Sequence, residues 1–92
     1  MTYLVSYDVA DDKRRLRLSK VLLDYGRRVQ ESVFWVDVEE EELVERMRGR
    51  VRRVVSETED SVWVVPVCKG CAGKVESVGV GKVPEVPGCY VV

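Results

Sequence analysis

Asp8 ends the stretch YLVSYD, in which Tyr3, Leu4, Val5 and Tyr7 are strand formers. Aspartate is poorly suited to a strand and costly to bury without a partner. Arginines follow closely: Arg14, Arg15 and Arg17, then Arg27 and Arg28. From Lys13 to Arg28, seven basic residues stand against one acid, Asp24. A local surplus of positive charge is what a phosphate backbone senses, whatever the molecular total, here −1. Arginine's planar fork matches phosphate oxygens well. Structural salt bridges to Asp11, Asp12 and Asp24 compete for the same guanidinium groups. A second cluster, Arg46 to Arg53, holds five arginines and follows an acidic run from Asp37 to Glu45. Acids at a helix start and bases at its end suit the helix dipole, so this cluster reads as a solvated helix face.

Other chemistry is limited by what the chain lacks. It contains no histidine, so Ser–His–Asp and Cys–His catalysis within one chain is excluded, as is any His-ligated metal. Cys68 and Cys71 form one CxxC, and the third cysteine is Cys89. A structural zinc needs four ligands. A redox CxxC normally opens a helix after a strand, whereas this one runs into AGK. The motif therefore reads as a tight turn with buried or idle thiols. A disulfide within the pair and a four-cysteine metal site across a dimer are the alternatives.

The elements that carry these residues follow from periodicity. Residues 2–9 form a strand. Asp11 or Asp12 caps a helix running to about Tyr25, with Leu18, Val21, Leu22 and Tyr25 at i, i+3, i+4, i+7 spacing. Gly26 stops it. Residues 28–38 are expected as one long strand, rich in β-branched and aromatic residues. Glu39 to about Ser56 is an amphipathic helix with Leu43, Met47, Val51, Val54 and Val55 as its buried stripe. Residues 61–67 form a further strand, in which Pro66 belongs at an edge or a bulge. A short strand is expected at 75–80, and Gly88 to Val92 in the tail as a fifth.

The expected order is βαββαβ with an added tail strand. It is an α+β, ferredoxin-like fold: an antiparallel sheet with both helices on one face. The 92 residues make a single domain, with a core over about 1–80 and a tail over 81–92. A domain this small buries only ~60–65% of its unfolded surface. The other sheet face has no helix to cover it, so a second copy of the chain is the natural cover. No apolar run reaches the ~18 residues of a membrane span, and no signal-peptide pattern opens the chain. A cytoplasmic location without membrane contact is the expectation.

Taken together, YLVSYDV, the basic helix KRRLRLSKVLLDYG and the run GRRVQESVFW resemble the Cas-two family of CRISPR-associated proteins. These are the small homodimeric subunits of the spacer-acquisition machinery. The most specific parts are the strand ending in Tyr7–Asp8 and the series Gly26, Arg28, Val29, Gln30, Ser32, Val33, Phe34. The chain departs from the family at Trp35, where a charged or polar residue commonly follows the phenylalanine.

The resemblance implies roles for these residues. Asp8 would face its twin across the two-fold axis and share a divalent cation, usually taken as Mg²⁺. It would thus be both metal ligand and catalytic residue of a metal-dependent endonuclease acting on single-stranded RNA or double-stranded DNA. Arg14, Arg15 and Arg17 on the first helix, and Arg27 and Arg28 in the turn beyond it, would contact phosphates. Ser32, Gln30 and Phe34 would support the site, with Ser32 and Phe34 on one strand face. The implied partners are a second copy, a CRISPR integrase subunit and duplex DNA, with single-stranded RNA as another target. A non-catalytic scaffold that spaces two integrase subunits fits the same residues. So, with less force, do a toxin-type endoribonuclease of the virulence-associated protein D kind and a ferredoxin-like regulatory module.

Overall fold

The computed structural model describes residues 1–79. Seven elements follow one another: β1 (Thr2–Asp8), α1 (Asp12–Leu23), β2 (Gly26–Gln30), β3 (Val33–Asp37), α2 (Glu41–Val54), β4 (Ser61–Val67) and the short α3 (Lys69–Ala72). The strands form one sheet in the order β2-β3-β1-β4, and every neighbouring pair is antiparallel. This is the expected α+β, ferredoxin-like arrangement, with both helices on one face.

Alternation along β1 decides which face that is. Tyr3, Val5 and Tyr7 point to the helices, since strand side chains change face at each step. Phe34 and Val36 of β3 join them, and Leu18, Val21 and Leu22 of α1 close over the sheet with Val44, Met47 and Val51 of α2. Tyr7 and Phe34 stack with their ring centroids 6.2 Å apart. The opposite face carries Leu4, flanked in register by Trp35 of β3 and Val65 of β4. Trp63, opposite Ser6, is 68% exposed there and Val65 39%.

Several local expectations change. Residues 28–38 are two strands, because Glu31 and Ser32 break the apolar run into a hairpin. β1 pins that turn: the Tyr7 amide donates to the Ser32 carbonyl at 3.1 Å, and the Tyr7 hydroxyl to that of Glu31 at 3.3 Å. With that strand supplied, the sheet takes β4 as its fourth member, and residues 75–79 form no strand. The α3 turn reaches into that segment, with the Val75 amide bonded to the Ala72 carbonyl at 3.5 Å. The expected tail strand at Gly88–Val92 lies outside the described residues. Gly26 opens β2 instead of ending α1, whose C-cap is Asp24. A Cβ at Gly26 would overlap the Trp35 carbonyl oxygen and lie 2.8 Å from a Val36 methyl, so glycine permits the β2–β3 approach. In α2 the fully buried stripe is Val44, Met47 and Val51, while Leu43 is only half-buried. Pro66 lies in β4, an edge of the described sheet, as its missing N–H requires.

Candidate functional site

Asp8 is the last residue of β1 and pairs in register with Ser61 at the start of β4. It is exposed. Among the described residues its carboxylate takes part in no hydrogen bond or ion pair. Position explains this freedom. Val9, the next residue, is buried, so the chain turns inward and leaves Asp8 at the end of the central ladder.

The loop that follows is fixed by the arginines. Asp11 caps α1 by accepting the Arg14 amide at 2.9 Å. Arg15 donates twice to the Val9 carbonyl, at 3.2 and 2.9 Å, and pairs with Asp12 at 2.7 Å. Arg14 reaches across to the start of β4. Its guanidinium binds Asp60 at 2.8 and 3.2 Å and Glu59 at 3.0 Å. The Asp60 carboxylate, wholly enclosed, also accepts the amides of Ser56 and Ala10. Arg14, then those amides, holds the Asp60 carboxyl at about 2, and the same pairing raises the Arg14 guanidinium further above its ordinary value. Asp60 therefore ties β4 to both ends of the 9–14 loop that follows Asp8. Sequence reasoning missed it, because a partner 46 residues from Arg14 leaves no local signal.

The remaining predicted residues separate into groups. Arg17 is exposed on α1, and Arg27 and Arg28 are exposed within β2, not in a turn. Arg27 pairs with Trp35 and Arg28 with Phe34, so the two arginines leave opposite faces of an edge strand. Arg28 lies over the Phe34 ring at 5.4 Å from its centroid. Among the described residues, Arg17, Arg27 and Arg28 form no ion pair. Phe34 is fully buried core. Gln30 ends β2, next to a register irregularity at Val29. Ser32 sits in the turn before β3 and so does not share a strand face with Phe34; its carbonyl braces β1 beside Asp8.

In the second arginine cluster, Arg50 binds Asp24 at 2.8 Å and the Tyr25 hydroxyl at 3.3 Å, while Arg48 pairs with Glu45. These are structural uses of a helix face. Trp35, where the chain departs from the family pattern, is buried with its Nε1 lacking a hydrogen-bond partner.

The donor set bears on metal binding. Among the described residues no group of three or more His, Cys, Asp or Glu side chains converges on a point. At the end of β1 one copy thus offers the Asp8 carboxylate without a converging set of further ligands, chemically suited to a hard cation but weak alone. Two copies meeting at Asp8 would supply a pair. Among the described residues no helix is long and apolar enough to cross a membrane.

Comparison with known proteins adds to this geometry. The family described as CRISPR associated protein Cas2 matches residues 1–75. A relative from Thermus thermophilus, named CRISPR-associated endonuclease Cas2 2, is 44% identical over 84 residues, covering 91% of this chain and 88% of its own. One from Chloroflexus aurantiacus, named CRISPR-associated endoribonuclease Cas2 1, is 38% identical over 86 residues, covering 92% and 91%. The crystal structure of Streptococcus pyogenes Cas2 superposes with a TM-score of 0.75 at 34% identity, covering 86% of this chain and 100% of that one. A chain of a partial Cas6-RT-Cas1–Cas2 complex superposes with a TM-score of 0.69 at 26% identity, covering 84% and 89%.

Proposed function

Because the chain belongs to the CRISPR-associated Cas2 family, we propose that it acts in CRISPR adaptation as a homodimer that binds duplex nucleic acid and contacts an integrase subunit. In this reading it also carries an Asp8-dependent endonuclease activity. The observation that carries the nuclease is the exposed Asp8 carboxylate, left free at the end of the central strand while Arg14 and Arg15 brace the loop beside it. Relatives named endonuclease and endoribonuclease support hydrolysis of phosphodiesters. The Cas1–Cas2 complex among the structural neighbours supports the integrase contact.

Each residue has a part in this reading. Asp8 from each of two copies would hold a divalent cation such as Mg²⁺. Such an ion, when bound, polarises a phosphoryl oxygen and lowers the pKa of a coordinated water. Asp60 and Arg14 keep the 9–14 loop folded so that the Asp8 carboxylate stays clear of competing cations. Arg17, Arg27 and Arg28 have guanidinium groups available for backbone phosphates. Exposed Trp63 and Val65, with Leu4 beside them, give the second copy an apolar surface to cover.

Cleavage of single-stranded RNA and of duplex DNA by wild type and Asp8→Ala, each with Mg²⁺ and with EDTA, tests the proposal. Wild type with Mg²⁺ should cut one of these substrates, and both the variant and the chelated enzyme should not. Activity of Asp8→Ala in EDTA would overturn the metal role. Inactivity of wild type, with duplex binding intact, would leave the scaffold as the function.

A further inference from the structure

β4 ends at Val67, and the next residue, Cys68, caps α3, with Cys71 in the single turn that follows. The sequence suggested an idle turn because AGK gives no sign of a helix. The fold nevertheless supplies the order that redox pairs use: a strand, a first cysteine as cap, and a helical turn carrying the second. Both cysteines are exposed and unbridged.

Their mutual contacts are asymmetric. Cys68 Sγ accepts the Cys71 amide at 3.4 Å. Negative charge on Cys68 is thereby favoured and its thiol titrates below the ordinary value. The Cys71 thiol, raised chiefly by the neighbouring Cys68 sulfur, titrates above it. Cys68 is thus the sulfur prepared to attack, and Cys71 follows it within the same helical turn.

We propose that Cys68 and Cys71 form a thiol–disulfide exchange site, with Cys68 as the attacking thiolate, Cys71 as the resolving thiol and a low-molecular-weight disulfide as co-substrate. The Cys68 thiolate attacks one sulfur of the small disulfide. That S–S bond breaks, one thiolate departs, and a mixed disulfide remains on Cys68. Cys71 then gives its proton to solvent, attacks Cys68 Sγ and expels the second thiolate. The chain loses two electrons, and the small disulfide is reduced to two thiols.

This site is remote from the phosphodiester chemistry. Val67 pairs with Thr2 at one end of the β1–β4 ladder, and Asp8 pairs with Ser61 at the other. Six residue steps of ~3.3 Å put the two ends about 20 Å apart. Exchange at the cysteines and cutting at Asp8 can therefore fail independently.

The test uses the full chain with Cys89→Ser, which removes the third thiol. The protein is incubated with oxidised glutathione at pH 7, quenched with N-ethylmaleimide and mapped by peptide mass spectrometry. The expected product is a Cys68–Cys71 disulfide that dithiothreitol reverses. Cys71→Ser should accumulate a stable glutathione adduct on Cys68. Cys68→Ser should form adducts at Cys71 more slowly than Cys71→Ser forms them at Cys68, since only the Cys68 sulfur accepts a backbone amide that favours its thiolate. Failure to form the internal disulfide, or faster reaction at Cys71 than at Cys68, would overturn the proposal.

Discussion

Removing Arg17, Arg27 and Arg28 together should change how duplex binding responds to salt, while removing Arg14 should not. The Arg14 guanidinium is engaged by two carboxylates, Asp60 at 2.8 Å and Glu59 at 3.0 Å. It can neutralise a phosphate only by leaving them. Arg17, Arg27 and Arg28 are exposed and, among the described residues, bound to no acid. Each phosphate contact on duplex DNA steepens the slope of log K against log salt by about 0.9, so three give about 2.7 per chain. Between 50 and 200 mM salt, a slope of about 2.7 is roughly a fortyfold loss of affinity. Fluorescence anisotropy of a labelled duplex across a salt series measures this directly. The Arg17→Gln, Arg27→Gln, Arg28→Gln variant should lose about 2.7 of slope per chain, in proportion to the number of chains bound. Arg14→Gln should keep the wild-type slope and lose thermal stability. A triple variant with an unchanged slope, or an Arg14→Gln variant with a flattened one, would refute the division of the arginines into phosphate-facing and loop-bracing groups.

Three other perturbations test separate parts of the structure. Gly26→Ala forces a Cβ into the Trp35 carbonyl and Val36, which should cost about 1–3 kcal/mol and lower the calorimetric midpoint by several degrees; an unchanged midpoint would mean that β2 can move away freely. Asp60 has its pKa depressed from 3.8 to about 2. Its stabilisation is thus complete above about pH 4 and lost as pH falls toward 2; Asp60→Asn should erase that portion of the acid-unfolding curve in circular dichroism, and an identical acid limb would contradict the clamp. Trp63→Ser should weaken self-association seen by light scattering without lowering the stability of the monomer fold, since the ring is 68% exposed in one chain; undiminished association would place the dimer contact on another surface.

What the sequence revealed depended on how local the signal was. β1 and α1 were legible because period-two and period-3.6 patterns, an Asp cap and a stripe of Leu18, Val21 and Leu22 all lie within a few turns. The hairpin was not. Only Glu31 and Ser32 separate two apolar arms, and what fixes the turn is β1, through bonds from Tyr7. With 28–38 read as one strand, the further strand expected at 75–80 stood where the structure has none over residues 75–79. Asp8 stood out because the local uses of an acid at a strand end, as turn former or helix cap, fall to Asp11 and Asp12. The Arg14–Asp60 pair did not, because its members are distant in the chain and each has nearer partners of opposite charge. Cys68 and Cys71 were undervalued for a similar reason: propensity in KGCAG argues against a helix, yet the turn after β4 forms one.

In the proposed function two Asp8 carboxylates, one from each copy, create the metal site. The most direct measurement is Mn²⁺ binding by electron paramagnetic resonance on the full-length dimer, wild type against Asp8→Asn. One ion per two wild-type chains is expected, with loss of that ion in the variant while the dimer stays intact. One ion per single chain, or undiminished binding by Asp8→Asn, would contradict the shared site.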